Sequence, residues 1–122
     1  MAEDVSIADD GTCIVVLSPG KPSPDEMRRT LVRIKALGRE HSVDRVLVDA
    51  SRRDALPPIS IMHDGARMLA AALGPAVRVA VLVNAVTDEH RYFENVAINE
   101  GADIAYFLDR DAAHAWLRAP RD

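Results

Sequence analysis

Cysteine is nearly missing from this chain: Cys13 is the single one in 122 residues, so no intramolecular disulfide can form. Aromatic residues are also few, at 4% of the chain, and no block of like charge accompanies them. Fifteen Lys and Arg stand against nineteen Asp and Glu, a net charge of −4. A chain without a stacking platform or a basic block is a poor partner for nucleic acid. No apolar run approaches the roughly 20 residues that span a bilayer. The start, Met1-Ala-Glu-Asp-Val, is acidic where a secretory signal needs a basic and then an apolar stretch, so a cytoplasmic protein is expected. Gly-x-Gly patterns are absent after every candidate strand, which removes the usual phosphate cradle and with it the usual support for nucleotide binding. Gly-x-Ser-x-Gly is absent too, so the superficial set of Ser60, His63 and Asp49 or Asp64 lacks a nucleophile elbow and does not read as a hydrolase.

What is present is ordinary globular composition, 48% hydrophobic and 28% charged, on a length that supports one core, so residues 1–122 read as one domain. Prolines and glycines punctuate the chain between short β-branched runs and longer amphipathic ones. Val5 and Ile7 alternate with polar neighbours, Asp9-Asp10-Gly11 is turn chemistry, and Cys13 to Leu17 is a second apolar run; together they predict an opening β-hairpin. Ser23, Pro24 and Glu26 form a capping box ahead of Met27, Leu31, Ile34 and Leu37 at helical spacing, with Arg28, Arg29, Arg33 and Lys35 on other faces and Gly38 as the stop. Arg45 to Asp49 is a short strand of the kind covered on both faces. Pro57 and Pro58 open a second helix that Gly74-Pro75 closes. Val77 to Val83 is the most strand-like run of all. Thr87 or Asp88 caps a third helix that stops at Gly101, Ile104 to Leu108 is the last strand, and Asp109 caps a terminal helix whose Trp116 should fold back onto the sheet or a neighbouring helix. The fold class is therefore α/β: a mixed, mostly parallel five-stranded sheet opened by a β-hairpin and flanked by four helices. Its usable crevice lies beyond the carboxyl ends of the parallel strands.

The runs Val46 to Asp49 and Arg78 to Val83, the proline-bounded second helix, and above all Ala105-Tyr-Phe-Leu-Asp-Arg-Asp-Ala-Ala-His-Ala-Trp-Leu117 resemble the SpoIIAA-like family of STAS-type domains. The resemblance covers nearly the whole chain. It implies a mixed sheet flanked by helices, related to anti-sigma-factor antagonists and, more loosely, to lipid-carrying Sec14-type domains. Such antagonists present a phosphorylatable serine, in an Asp-Ser pair followed closely by Gly, at the start of the helix after the central strand. This chain departs from that pattern. Asp49 ends the matching strand, but the loop is longer, Leu56-Pro-Pro-Ile replaces the Asp-Ser context, and Ser60 is the serine nearest the helix entrance. A phosphate there would be stabilised by free N–H groups and the helix dipole; a plain capping or exposed serine is the blander reading.

Cys13 heads a strand with no histidine or helix N-terminus beside it, as a buried, reduced, structural thiol would. His90 and Glu94 share a helix face at a spacing of four, but two ligands are too few for a tight metal site, and His41 and His114 have no acidic or cysteine cluster at ligand spacing. No metal or cofactor is expected. Arg52-Arg53-Asp54 could receive a carboxylate or phosphate, with a solvated loop as the default. Met62 and Met68 make the second helix soft, as core or as the lining of an adaptable pocket. The leading expectation is a non-enzymatic regulatory or protein-interaction domain, binding a protein partner or forming a homodimer. Its surface would be the loop from Ala50 to Ser60 and the start of the second helix, with Asp49, Ser51, Arg52, Arg53, Ser60, His63, Asn84 and Thr87 as the candidate residues and Ser60 as the candidate phosphorylation site. The alternative is a carrier or sensor of a small apolar or anionic ligand held between the second and third helices.

Overall fold

A computed structural model describes residues 3–20, 23–52 and 59–120. The strands β1 (Asp4–Ile7), β2 (Ile14–Leu17), β3 (Arg45–Asp49), β4 (Arg78–Leu82) and β5 (Asp103–Phe107) make one sheet in the order β1-β2-β3-β4-β5. The opening pair is the expected antiparallel hairpin, and every later pairing is parallel. The helices are α1 (Pro24–His41), α2 (Ile59–Leu73), α3 (Asp88–Asn99) and α4 (Arg110–Arg118). From β2 to β5 the chain steps one strand along in the same direction at each crossover. Right-handed connections therefore leave α1, α2 and α3 on one face, and α4 packs on the other, against β3, β4 and β5.

This arrangement explains the unbroken apolar runs. Val46 and Val79 point at the three-helix layer, in register with Ile104, while Leu47, Ala80 and Leu82 point at Ala113 and Leu117 of α4. A strand buried on both faces has no reason to alternate. Val48, Val81 and Tyr106 make a second matched row on the helix-layer side, so the expected strand neighbours are borne out.

The helix ends follow the sequence closely, with one correction. Ser23 accepts a hydrogen bond from the Glu26 N–H at 3.1 Å, and the Glu26 carboxylate accepts in return from the Ser23 N–H, with Pro24 in the first turn. Thr87 caps α3 and Asp109 caps α4. Gly38, expected to stop α1, lies inside it. The helix runs to His41 and ends at Ser42, which adopts the left-handed conformation at φ 56°. A Cβ at position 38 would come within 2.9 Å of the Val43 carbonyl, and the Val43 N–H donates back to the Gly38 carbonyl. The glycine thus serves the close return of the chain into β3, not the helix terminus. Cys13 is buried, and loss of solvation together with the nearby Asp10 charge pushes its thiol pKa up, which keeps it protonated.

Trp116 does fold back. Its ring lies 5.5 Å from that of Phe107, and the guanidinium of Arg78 sits 4.4 Å over it. Arg78 also donates to the Trp116 carbonyl at 2.8 Å and pairs with Asp103 at 3.1 Å, while Arg45 donates from Nε to the Leu117 carbonyl. Two strand arginines thus satisfy carbonyls at the end of α4 that the helix itself leaves open.

Candidate functional site

The expected site residues separate into two groups. Asp49 closes β3 on the α4 face. Its Oδ1 accepts from the Ser51 hydroxyl at 2.6 Å and the Ser51 N–H at 3.1 Å, and its Oδ2 accepts from Arg110 at 2.6 Å. Asn84, just past β4, donates from Nδ2 to the Ser51 carbonyl at 3.2 Å. Asp49, Ser51 and Asn84 are therefore brought together, and Arg110 joins them from the first residue of α4, a role that no spacing in the sequence signalled. Such a network ties the strand ends to the α4 entrance.

The charge on Asp49 matters to that network. Burial pushes its carboxyl pKa up, but the two Ser51 donors and the Arg110 guanidinium outweigh burial and hold it below the ordinary value. A group depressed in the folded state contributes stability that is complete above its unfolded pKa, about 3.9, and is lost as pH falls through the folded value. Asp49→Asn should therefore lower stability by about 1 kcal/mol from pH 5 to 8. The gap to the parent should close below about pH 4. Urea titrations across this range check it, and a gap that stays constant down to pH 2 would refute the assignment.

The second group belongs to the starts of α2 and α3, with Arg52 on the connection that precedes α2. Ser60, the second residue of α2, is exposed in its first turn, and Arg52 is exposed shortly after β3. Arg53 and the stretch Asp54 to Pro58 lie outside the described residues. His63 is one turn on from Ser60, half-buried, with Nδ1 2.9 Å from the Tyr92 hydroxyl of α3. The α2 entrance is thereby linked to α3. Thr87 acts as a cap: its hydroxyl accepts from the His90 N–H at 3.2 Å and its own N–H donates to His90 Nδ1 at 3.1 Å. His90 is buried, and its ring lies 4.9 Å from that of Tyr106. The Thr87-x-x-His90 spacing carried this cap, because an imidazole nitrogen can take the place of the usual Glu or Gln carbonyl.

α2 differs from the other helices at its start. α1 carries Asp25 and Glu26 in the first turn, α3 carries Asp88 and Glu89, and α4 carries Asp111, whereas α2 carries no acid there. Negative charge at that end would be stabilised by the helix dipole.

Between the helix layer and the sheet is a cavity of about 90 Å³. Met27, Leu31, Met62, Leu69, Phe93 and Ile104 make its apolar walls, and His90, Tyr106, Thr30 and Glu3 supply polar atoms. Glu3 accepts from the hydroxyls of Ser18 and Thr30, each at 2.6 Å. Met62 lines this space as expected, but Met68 does not; Met27 of α1 takes that place, because Gly65 of α2 offers no Cβ and lets the Met27 thioether approach.

The chain has the SpoIIAA-like fold. It superposes with a TM-score of 0.60 on an uncharacterised protein of the DUF3478 family with a SpoIIAA-like fold from Shewanella loihica PV-4, at 17% identity over 95% of this chain and 92% of that one. It superposes with a TM-score of 0.58 on the anti-sigma factor antagonist SpoIIAA in its unphosphorylated form, at 14% identity over 98% of this chain and 100% of that one. No protein-family model and no curated protein sequence matches the chain.

Proposed function

We propose that this protein is a non-enzymatic cytoplasmic regulatory domain that captures a protein partner with the start of α2 and the β3–α2 connection, as the SpoIIAA-like fold suggests. The observation that carries this reading is Ser60, exposed in the one described helix entrance whose first turn holds no acid. Phosphorylation there adds a dianion where the helix dipole favours it and changes the charge of the docking surface without disturbing the core. Arg52, exposed just after β3, adds a guanidinium that can receive a carboxylate or phosphate near the same surface. No helix among the described residues is long and apolar enough to cross a membrane.

Ser60→Asp should reduce recovery of the partner from host extract by about tenfold or more, the equivalent of about 1.4 kcal/mol, while leaving the thermal midpoint nearly unchanged. If Ser60→Asp and the paired Arg52→Ala, Arg53→Ala variant both recover the same partners as the parent, this surface is not the docking site. The second reading then takes over. It is a carrier of a small apolar or anionic ligand, favoured by the cavity beneath α1, α2 and α3. At about 90 Å³ that space holds less than the roughly 150 Å³ that accommodates benzene, so a larger ligand requires the helices to part.

A further inference from the structure

Helix α1 is the basic element of an acidic protein. Residues 27–39 hold five cations, Arg28, Arg29, Arg33, Lys35 and Arg39, and no acid; the other 109 residues hold ten cations against nineteen acids. At 100° per residue Arg29 and Arg33 lie on the side opposite Leu31 and Ile34, which face the core, while Arg28 and Arg39 lie on the flank and Lys35 sits nearest Leu31. Val32, 63% exposed, and Ala36 lie at the centre of the arc the cations span, and the cations surround them. Arg28 is paired with Asp25, and Arg33 donates to the Val5 carbonyl; among the described residues Arg29, Lys35 and Arg39 make no hydrogen bond or ion pair. The face spans roughly 16 Å along the helix axis.

We propose that the outer face of α1 is a docking surface for a short acidic segment of another protein. Its occupant carries carboxylates arranged around one small apolar side chain, which seats on Val32 and Ala36. This surface is separate from the α2 entrance and does not depend on it. Arginine forks match carboxylates in two-point geometry, and their stems extend the apolar centre. The patch is also bounded. Asp25 and Glu26 stand before it, Glu40 and Asp44 after it, and the rest of the molecule is strongly acidic. A segment of about three helical turns fits within those limits. A membrane or a nucleic acid duplex is an extended array of negative charge and would press against the acidic surroundings. Two small apolar side chains also give a bilayer little to bury, against the bulky apolar face of a membrane-surface helix.

The test uses the full chain and a labelled helical peptide of about twelve residues with glutamates around one alanine, beside the same peptide with Gln for Glu. Vesicles of phosphatidylcholine with phosphatidylglycerol and a short DNA duplex serve as competing polyanions. The acidic peptide should bind the parent, the Gln peptide should not, and a severalfold rise in ionic strength should weaken binding. The triple variant Arg29→Glu, Lys35→Glu, Arg39→Glu should lose about tenfold or more in affinity. Arg29→Gln, Lys35→Gln, Arg39→Gln should lose less, and both should stay close to the parent's thermal midpoint, because among the described residues these side chains make no hydrogen bond or ion pair. Ser60→Asp should leave peptide binding unchanged, so failure here is distinct from failure at α2. Equal binding by parent and charge-reversed chains, no binding by the parent, or preferential uptake of vesicles or duplex would each overturn the proposal.

Discussion

Trp116→Ala should lower stability by about 3 kcal/mol or more, seen as a fall of about 10 °C in the thermal midpoint for a chain of this size. The indole covers the lower face of the sheet with Phe107, packs beside Leu47, Ala80, Leu82, Ala113 and Leu117, and is the only large aromatic in α4. Among the described residues, α4 is the helix packed on this side of β4, so no neighbouring helix refills the space left by alanine. Urea unfolding of the parent and variant checks the value, and an unchanged midpoint would show that α4 is not docked through this residue.

Arg78→Ala should cost about 2 to 3 kcal/mol, a large effect for an arginine. Most surface arginines contribute under about 1 kcal/mol because water competes for their partners. Arg78 differs because its side chain is largely withdrawn from water, 13% exposed, and serves three partners at once: Asp103, the carbonyls at the end of α4 and the face of Trp116. Lysine should not restore the loss, since a single ammonium cannot reproduce the planar fork. In a double-mutant cycle with Trp116→Ala, the two residues should couple by about 0.5 to 2 kcal/mol. Additive losses would mean that the guanidinium and the indole act independently.

How much of this was legible beforehand depended on the range of the interaction. Capping boxes, turn glycines and apolar runs act within a few residues, so Ser23 with Glu26, Thr87 and the five strands could be read directly. Gly38 was misread because a glycine inside a helix and one at its end look alike in sequence; only the approach of Val43 tells them apart. The candidate site behaved likewise. Asp49, Ser51 and Asn84 stand among the eight candidates the sequence offers for one surface, but that they join each other apart from Ser60 and His63 has no local mark, and neither has Arg110, sixty-one residues from Asp49.

The sequence by itself determined the element order, the mixed sheet and the burial of β3 on both faces, since each follows from residue spacing and chain chirality. Tertiary structure alone decided which charges meet. It drew Arg45 and Arg78 to the end of α4, placed Arg110 on Asp49, joined His63 to Tyr92, and enclosed a cavity with Met27 in its wall and Met68 outside it. Those pairings depend on where crossovers deliver distant helices, and a side chain's reach of a few ångströms is set by packing, which no local pattern encodes.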